Sequence, residues 1–229
     1  PMPGESWGYL GEEKKIARCL WDSFADAKEY GSLVQPEVTL EELDQLKARL
    51  VQMDERSGYG SLLTMSFTQT ALDVLCPLVE LAQVLVQKYD VVVTNPPYMG
   101  SSGMGAKLAD FVKKNYPDSK SDLFACFIER GSNWIVKNGF NCMVTMQSWM
   151  FLSSFEKMRT KILRCTDITN LMHMENMVMG IAFGTAVAVF CNSYVHGYKG
   201  TYNQIKLQDI ENDRPKEFPV RGNRFARVS

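Results

Sequence analysis

The residues in this sequence best suited to chemistry are Asn95-Pro96-Pro97-Tyr98, which directly follow the apolar run at residues 89–94. Two consecutive prolines remove two backbone N–H donors and fix φ, so the turn presents carbonyl oxygens beside the side-chain acceptor of Asn95. Such a turn can hold an exocyclic amine, and the aromatic face of Tyr98 suits a planar base or amide. The simpler alternative is a Pro-Pro turn that only ends a strand. We interpret the four residues as catalytic, because α/β enzymes bind their ligands where strands end.

Length and composition indicate a globular protein. The chain has 229 residues, of which 45% are hydrophobic and 22% are charged, as in ordinary globular domains. The sequence predicts no membrane span, because no apolar stretch approaches about 18 residues, and its start does not resemble a secretory signal. The six cysteines are dispersed without a C-x-x-C pair. This pattern predicts reduced core thiols in a cytoplasmic protein and no metal site.

The charge balance argues against strong binding of DNA by this chain alone. The chain has 25 basic and 26 acidic residues, which give a net charge of −1, whereas a complete duplex binder usually has a clear basic face. Three local basic clusters could contact phosphates, although a solvated helix face or tail explains them as well. They lie at Lys113-Lys114, at residues 157–164 and at residues 221–227.

The first 88 residues are predicted to be helical. Apolar residues recur at helical spacing in three segments, at residues 11–30, 39–56 and 66–88. Thr39 and Glu42 have the spacing of a capping box at the start of the second segment. A break is expected at residues 58–61, and Pro77 is expected to interrupt or kink the third segment.

After residue 88 the pattern changes to alternating strands and helices, which predicts a largely parallel sheet. Strands are expected at residues 89–94, 140–146, 167–174 and 184–192, helices at 122–136 and 154–164, and a loop at 99–106. The end after Asn203 is expected to be polar and poorly packed. The predicted domains are a helical lead-in at 1–88, a catalytic unit at 89–195 and a C-terminal extension at 196–229.

The turn and its strand resemble motif IV of the amino-methyltransferases. In that family the Asn side chain and the first Pro carbonyl accept hydrogen bonds from the amine, and the Tyr stacks on the ring of the target. The resemblance implies these roles for Asn95, Pro96 and Tyr98, with methyl transferred in line from S-adenosylmethionine. Residues 180–190 look like a later motif in which an aromatic packs on the other face of a flipped base, and Phe183 is the candidate.

Asp122-Leu123-Phe124 is similar to the next motif of the same family, which borders the methyl-donor pocket. The resemblance implies that these three residues help to bind the cofactor. Helix capping explains this segment equally well, with Ser121 as the expected N-cap and Asp122 favoured by the helix dipole in the first turn.

Residues 145–150 resemble the family's strand-to-loop motif that ends in a tryptophan. Met146 stands where family members often have proline, which puts the local turn in doubt but not the transfer chemistry. Trp149 is interpreted as a packing residue. The methionine-rich segment around His173 is interpreted as ordinary core.

The family's glycine-rich donor loop, which follows the first strand of the sheet, has no counterpart before Asn95. The chain is therefore expected to be an internal fragment, inactive by itself. The expected fold is α/β: the C-terminal half of a Rossmann-like methyltransferase sheet, preceded by a helical segment. Residues 89–192 resemble the large adenine-specific methyltransferases of BREX phage-defence systems (PglX-like) and, more distantly, type IIG restriction-modification enzymes.

The resemblance implies an adenine-N6 DNA methyltransferase that acts in phage defence or restriction-modification. Its expected donor is S-adenosylmethionine, and its expected partners are double-stranded DNA with a flipped adenine and other phage-defence proteins. Cytosine-N4, RNA adenine and protein glutamine are alternative acceptors, because the same motif holds each of these amines. A catalytically silent interaction module is the alternative from a different class. The motifs do not indicate the recognition sequence or the oligomeric state.

Overall fold

The computed structural model describes residues 6–56, 62–178, 180–222 and 225–228. The chain divides into two compact units, Pro1–Gln87 and Lys88–Ser229. The break predicted at residues 58–61 lies outside the described residues, as does part of the basic cluster at 221–227.

The first unit is helical, as predicted. Its helices are α1 Lys14–Phe24, α2 Ala27–Tyr30, α3 Leu40–Arg56 and α4 Leu62–Val86, with 3-10 turns at Ser6–Glu13 and Gly31–Leu33. The apolar faces of α1, α3 and α4 form one core, because apolar residues recur three or four positions apart and so share one side of each of these helices. Members of that core include Leu20, Leu43, Leu46, Leu50, Leu75 and Val79.

The predicted capping box at the start of α3 is confirmed. The backbone N–H of Thr39 donates to Glu42 Oε2 at 2.7 Å, and the N–H of Glu42 donates to Thr39 Oγ1 at 3.2 Å. These hydrogen bonds from Thr39 lower the pKa of the Glu42 carboxyl. Two otherwise unpaired donors of the helix start are thereby satisfied.

Helix α4 runs through Pro77 without the expected interruption. Its segment Thr68–Val86 is long and apolar enough to cross a membrane, with a mean hydropathy of 1.4. Asp73 and Glu80 interrupt this segment, so each of its uninterrupted apolar stretches is shorter than the about 18 residues of a membrane span. In the structure one face of the helix lies in the core of the first unit, where Ala71, Leu75, Val79 and Ala82 are buried.

The second unit is built on a six-stranded sheet in the described part of the chain. The helices are α5 Ala106–Asn115, α6 Leu123–Trp134 and α7 Glu156–Cys165. The strands are β1 Tyr89–Thr94, β2 Ile135–Met146, β3 Asp167–Met174, β4 Thr185–Cys191, β5 Gly200–Ile205, β6 Ile210–Glu211, β7 Arg214–Pro215 and β8 Phe225–Val228. The sequence pattern does not predict α5, and it places the start of β2 too late in the chain.

The sheet is mixed, so the prediction of a largely parallel sheet is wrong. Its order is β1-β2-β4-β3-β5-β8. The β1/β2 and β3/β5 pairs are parallel, whereas β4 is antiparallel to both β2 and β3, and β8 is antiparallel to β5. Residues 175–184 turn the chain straight back after β3, so β4 returns between β2 and β3 in the opposite direction.

This topology brings several strand ends together. Because β4 is antiparallel to both of its neighbours, β2 and β3 run the same way, and β1 and β5 run parallel to them. Strands β1, β2, β3 and β5 therefore all end at one side of the sheet, which we call the C-terminal edge. Ligands of open α/β sheets bind outside such an edge.

The end after Asn203 is packed at only a few positions: Ile205 and Val220 are buried, whereas residues 211–219 are exposed, as expected of a polar and poorly packed segment. Strand β5 pairs with β3 over residues 201–205, and the Asn203 amide donates to the Val220 carbonyl at 3.4 Å. Ile205 and Val220 are buried against Met174 in a small apolar cluster. The polar appearance of the segment arises because only alternate residues of a half-buried strand need to be apolar.

The cysteines are all free thiols, as expected. Cys126 and Cys191 are buried, and burial raises the pKa of the Cys126 thiol to about 12. Cys165 is exposed rather than in the core, because it ends α7 on the solvent side.

Helix α6 packs closely on β2 at Gly131. A Cβ atom at this position would lie 2.6 Å from Asn141 Oδ1 and 2.6 Å from Met143 Cε. Asn141 cannot move freely, because its amide donates to the Ile128 carbonyl at 3.0 Å and to Ser132 Oγ at 3.2 Å. The contact between α6 and β2 therefore requires a glycine at residue 131.

Gly131→Ala is expected to destabilise the protein by about 1–3 kcal/mol, as overpacking of a fixed core does. The measurement is the free energy of unfolding in denaturant. Gly105→Ala is the matched control, because a Cβ atom there meets nothing within 4 Å. Equal stability of the two variants would contradict the close approach at Gly131.

Candidate functional site

The Asn95-Pro96-Pro97-Tyr98 turn leaves β1 at the C-terminal edge. Asn95 and Pro97 are exposed, Pro96 is buried and Tyr98 is half-buried. Among the described residues, none donates a hydrogen bond to the Pro96 carbonyl. The turn therefore offers a side-chain acceptor and a backbone acceptor at the position where the sequence predicts them.

The hydroxyl of Tyr98 holds the side chain of Asn95. It lies 2.9 Å from Asn95 Oδ1 and 3.1 Å from the Val144 carbonyl of β2, and it can donate to either oxygen. Burial raises the pKa of the phenol, so the hydroxyl keeps its proton. An amide oxygen has two lone pairs, so Asn95 Oδ1 can still accept a hydrogen bond from a ligand.

The Tyr98 ring is fixed between two phenylalanines. It meets Phe124 edge-to-face with 6.1 Å between ring centroids, and it meets Phe183 at 5.7 Å with 72° between the ring planes. The structure thus brings Tyr98 and Phe183 together, as a shared base pocket requires. A base held between two parallel rings needs two gaps of about 3.5 Å each, so the rings must part and turn before they can enclose one.

Asp122, rather than the expected Ser121, is the N-cap of helix α6, because the helix begins one residue later than predicted, and it ties the helix to the turn. Its Oδ1 accepts from the Met99 N–H at 3.0 Å and from the Phe124 N–H at 3.3 Å, and the Leu123 N–H donates to the Met99 carbonyl at 3.0 Å. Burial raises the pKa of Asp122, while the backbone N–H donors of Met99, Phe124 and Leu123 act in the opposite direction. The start of α6 is therefore fixed beside Tyr98.

The predicted cofactor-binding residues thus lie next to the turn at residues 95–98. Phe124 is fully buried (0% exposed) and contacts the Tyr98 ring, and Leu123 is buried as well. Their role in donor binding stays a prediction.

A polar network that the sequence interpretation missed lies at the same edge. His173 Nε2 is 2.6 Å from Gln147 Oε1, and His173 Nδ1 is 3.4 Å from Gln204 Nε2. Because an amide oxygen only accepts, these orientations require the hydrogen on Nε2 and a free lone pair on Nδ1. Burial lowers the pKa of His173, which favours this neutral form, although Glu175 acts in the opposite direction. The interpretation of His173 as ordinary core was therefore incomplete.

The Gln147 side chain packs against the backbone of Gly184, the residue next to Phe183. A Cβ atom at Gly184 would lie 2.5 Å from Gln147 Cδ and Oε1, and the Gln147 N–H donates to the Gly184 carbonyl at 3.0 Å. The network therefore supports the segment that presents Phe183. The sequence feature that indicates this network is Gln147 itself, a polar residue directly after the buried strand β2.

Trp149 is a packing residue, as predicted. It is buried against Phe190 with 5.8 Å between ring centroids, and its Nε1 donates to Thr145 Oγ1 at 3.0 Å. Both atoms of that hydrogen bond are buried, so it fixes the indole and the start of the loop after β2.

The site is an acceptor-rich turn with an aromatic wall at a strand end of a mixed α/β sheet, the arrangement expected of an amino-methyltransferase. The sequence profile of the Eco57I restriction-modification methylases matches residues 22–178. The chain belongs to this family. The resemblance drawn from the motifs is thereby confirmed.

Two relatives are named as adenine-specific methyltransferases. BrxX of Escherichia coli O9:H4 (strain HS) is 36% identical over 88% of this chain, and PglX of Lacticaseibacillus casei (strain Zhang) is 35% identical over 85% of it. The match spans 16% of the length of each relative. Among solved structures, one of a type I restriction-modification system is 18% identical with a TM-score of 0.44, covering 53% of this chain and 24% of that chain.

Proposed function

We propose that this chain is the amine-binding part of a site-specific adenine-N6 DNA methyltransferase, which uses S-adenosylmethionine in phage defence or restriction-modification. The observation that supports this most strongly is the turn after β1. It combines the acceptors of Asn95 and Pro96 with the ring of Tyr98 at a strand end. Membership in a family of restriction-modification methylases supports the same reaction class.

The turn acts on the nitrogen of the target. Asn95 Oδ1 and the Pro96 carbonyl each accept one hydrogen of the amine, which favours the pyramidal nitrogen of the transition state over the planar, conjugated ground state. S-adenosylmethionine, when bound, supplies an electrophilic methyl group. The turn needs no strong base, because the methylated nitrogen is positively charged and loses its proton readily. Exposure of Asn95 leaves water within reach of that proton.

The surroundings of the turn suit a positively charged donor. The side chains that contact Tyr98 by a hydrogen bond or ring contact are Asn95, Phe124 and Phe183, and none of these three is cationic. In this proposal the donor pocket is bordered by a wall made of Asp122, Leu123 and Phe124. Asp122 positions that wall through its hydrogen bonds to the backbone of residues 99 and 124.

The target adenine stacks between Tyr98 and Phe183. Extrusion of a base from the duplex costs a few kcal/mol, and each aromatic stack returns about 1–3 kcal/mol. Because the two rings touch in this structure, we propose that entry of the base separates them. Double-stranded DNA is then the main partner and the cytoplasm the site of action. With a net charge of −1, this chain depends on other parts of the protein for most phosphate contacts.

The experiment that tests this function uses the full-length protein and S-adenosylmethionine labelled in the methyl group. Duplex DNA, single-stranded RNA and a protein mixture are offered as acceptors in separate reactions. Label is expected in the duplex DNA alone. Transfer to RNA or protein at a comparable rate would overturn the proposal, and so would the absence of transfer to any acceptor by folded protein.

A further inference from the structure

Two large apolar side chains project into solvent at the C-terminal edge. Phe151 is 63% exposed and Leu152 is 53% exposed. They follow the 3-10 helix Gln147–Met150, which continues directly from the end of β2. The Phe151 ring lies 6.0 Å from the ring of His173, near the end of β3. The pair therefore stands at the edge that also presents the catalytic turn.

The loop that presents this pair is firmly braced. The Arg159 guanidinium donates to the Trp149 carbonyl at 2.7 Å and also to the Leu152 carbonyl. The Leu152 N–H donates to the Ser148 carbonyl at 2.9 Å. Burial of each side chain would be favourable, yet the bracing holds both of them outward.

The surface next to the pair is basic. Helix α7 begins four residues after Leu152 and has four basic residues against one acidic residue, a net charge of +3 (4 − 1 = 3). Arg159 is engaged by the loop carbonyls and Lys161 pairs with Glu129 at 3.2 Å, so the exposed Lys157 and Arg164 are the residues that would contact phosphates. Exposed Ser153 and Ser154 lie between the pair and the helix. Apolar side chains on a basic surface suit a partner that combines phosphates with an apolar interior, and a DNA duplex is such a partner. The four basic residues are Lys157, Arg159, Lys161 and Arg164.

We propose that Phe151 and Leu152 form a wedge that enters the DNA duplex beside the target base and fills the space that the extruded base leaves. Proteins that unstack a duplex insert apolar side chains of this kind, including Phe and Leu. The bracing by Arg159 keeps the wedge rigid, so no ordering of the loop is needed when it enters. The inference rests on the proposed function, since it requires a duplex from which a base is extruded.

The test uses the full-length protein and a duplex that contains the site methylated by the wild type, with 2-aminopurine at the target position. Phe151→Ala and Leu152→Ala are each expected to reduce extrusion about tenfold, which corresponds to about 1.4 kcal/mol. The same DNA with a mismatch at the target is the comparison, because a mismatched base is easier to extrude. There the loss is expected to be small.

Tyr194→Ala and Leu163→Ala are the matched controls, because both side chains are 60% exposed. Tyr194 follows the end of β4 at the opposite side of the sheet, and Leu163 lies late in α7. Phe151→Leu keeps an apolar side chain and is expected to retain extrusion. Equal effects on paired and mismatched DNA, or effects no larger than those of the controls, would overturn the wedge.

Different experimental results would contradict the wedge and the proposed function. If the wild-type protein methylates the duplex but the wedge variants behave like the controls, only the wedge is wrong. If the wedge variants lower the melting temperature without any effect specific to paired DNA, the pair instead packs against another part of the protein. If the wild type transfers no methyl group to DNA, the proposed function itself fails.

Discussion

Replacing Asn95 by Ala in the complete protein is expected to lower the rate of methyl transfer by on the order of a hundredfold, as loss of one preorganised transition-state hydrogen bond does. The amide oxygen of Asn95 is one of the two acceptors that we propose for the amine, and it lies 2.9 Å from the Tyr98 hydroxyl. Asn95 is exposed, so the free energy of unfolding is expected to stay unchanged. The measurement is a single-turnover rate at saturating donor.

Two further variants make the Asn95 experiment specific. Asn95→Asp keeps an acceptor oxygen at the same distance along the side chain, so it is expected to retain much more activity than Asn95→Ala. Asn170→Ala removes an exposed amide from β3 and is expected to leave the rate unchanged. Wild-type single-turnover rates in Asn95→Ala would show that this side chain does not hold the amine.

Tyr98→Ala is expected to weaken binding of DNA with an extrahelical target base about 5–150-fold, because one aromatic stack contributes about 1–3 kcal/mol. Binding of random duplex, which presents no base to the pocket, is expected to change little. The two affinities are measured at the same salt concentration. Equal losses on both DNAs would mean that Tyr98 is only structural.

Tyr98→Phe separates stacking from positioning. The ring remains, but the hydroxyl that can donate to Asn95 Oδ1 or to the Val144 carbonyl is lost. Base binding is therefore expected to stay near wild type while the transfer rate falls, because the Asn95 amide loses the group that orients it. Tyr194→Phe, at the other side of the sheet, is the control.

The sequence predicts those parts of the site that depend on local chemistry. The Pro-Pro turn follows its strand directly, and the capping box of Thr39 and Glu42 joins residues only three positions apart. Proline fixes φ, and a cap satisfies donors of its own helix, so short segments are enough to specify both features. The turn, the start of α6 and most strand positions could therefore be predicted.

Strand direction and the polar network could not be predicted in the same way. The insertion of β4 between β2 and β3 depends on pairing between distant segments. The network joins Gln147 to His173 across 26 positions and His173 to Gln204 across 31. No local pattern specifies such partners, and a half-buried histidine in an apolar strand has the same sequence appearance whether or not its nitrogens are bonded.

The position of Phe183 could be predicted from the sequence, but the orientation of its ring could not. Its motif predicts an aromatic opposite Tyr98, and the structure places the two rings 5.7 Å apart. The 72° between their planes could not be predicted, because it depends on how residues 180–184 leave the turn after β3 and on the Gln147 side chain beneath Gly184. Opening of this ring pair is consequently part of the proposed base-binding step.

The most direct test of the amine-holding turn is the chemical identity of the methylated product. Duplex DNA treated with the full-length protein and S-adenosylmethionine is digested to nucleosides, which are quantified by mass spectrometry for the wild type and for Asn95→Ala. We expect N6-methyladenine from the wild type and almost none from the variant at the same time point. N4-methylcytosine or a ring-carbon methyl group as the main product, or equal N6-methyladenine from both proteins, would contradict the account.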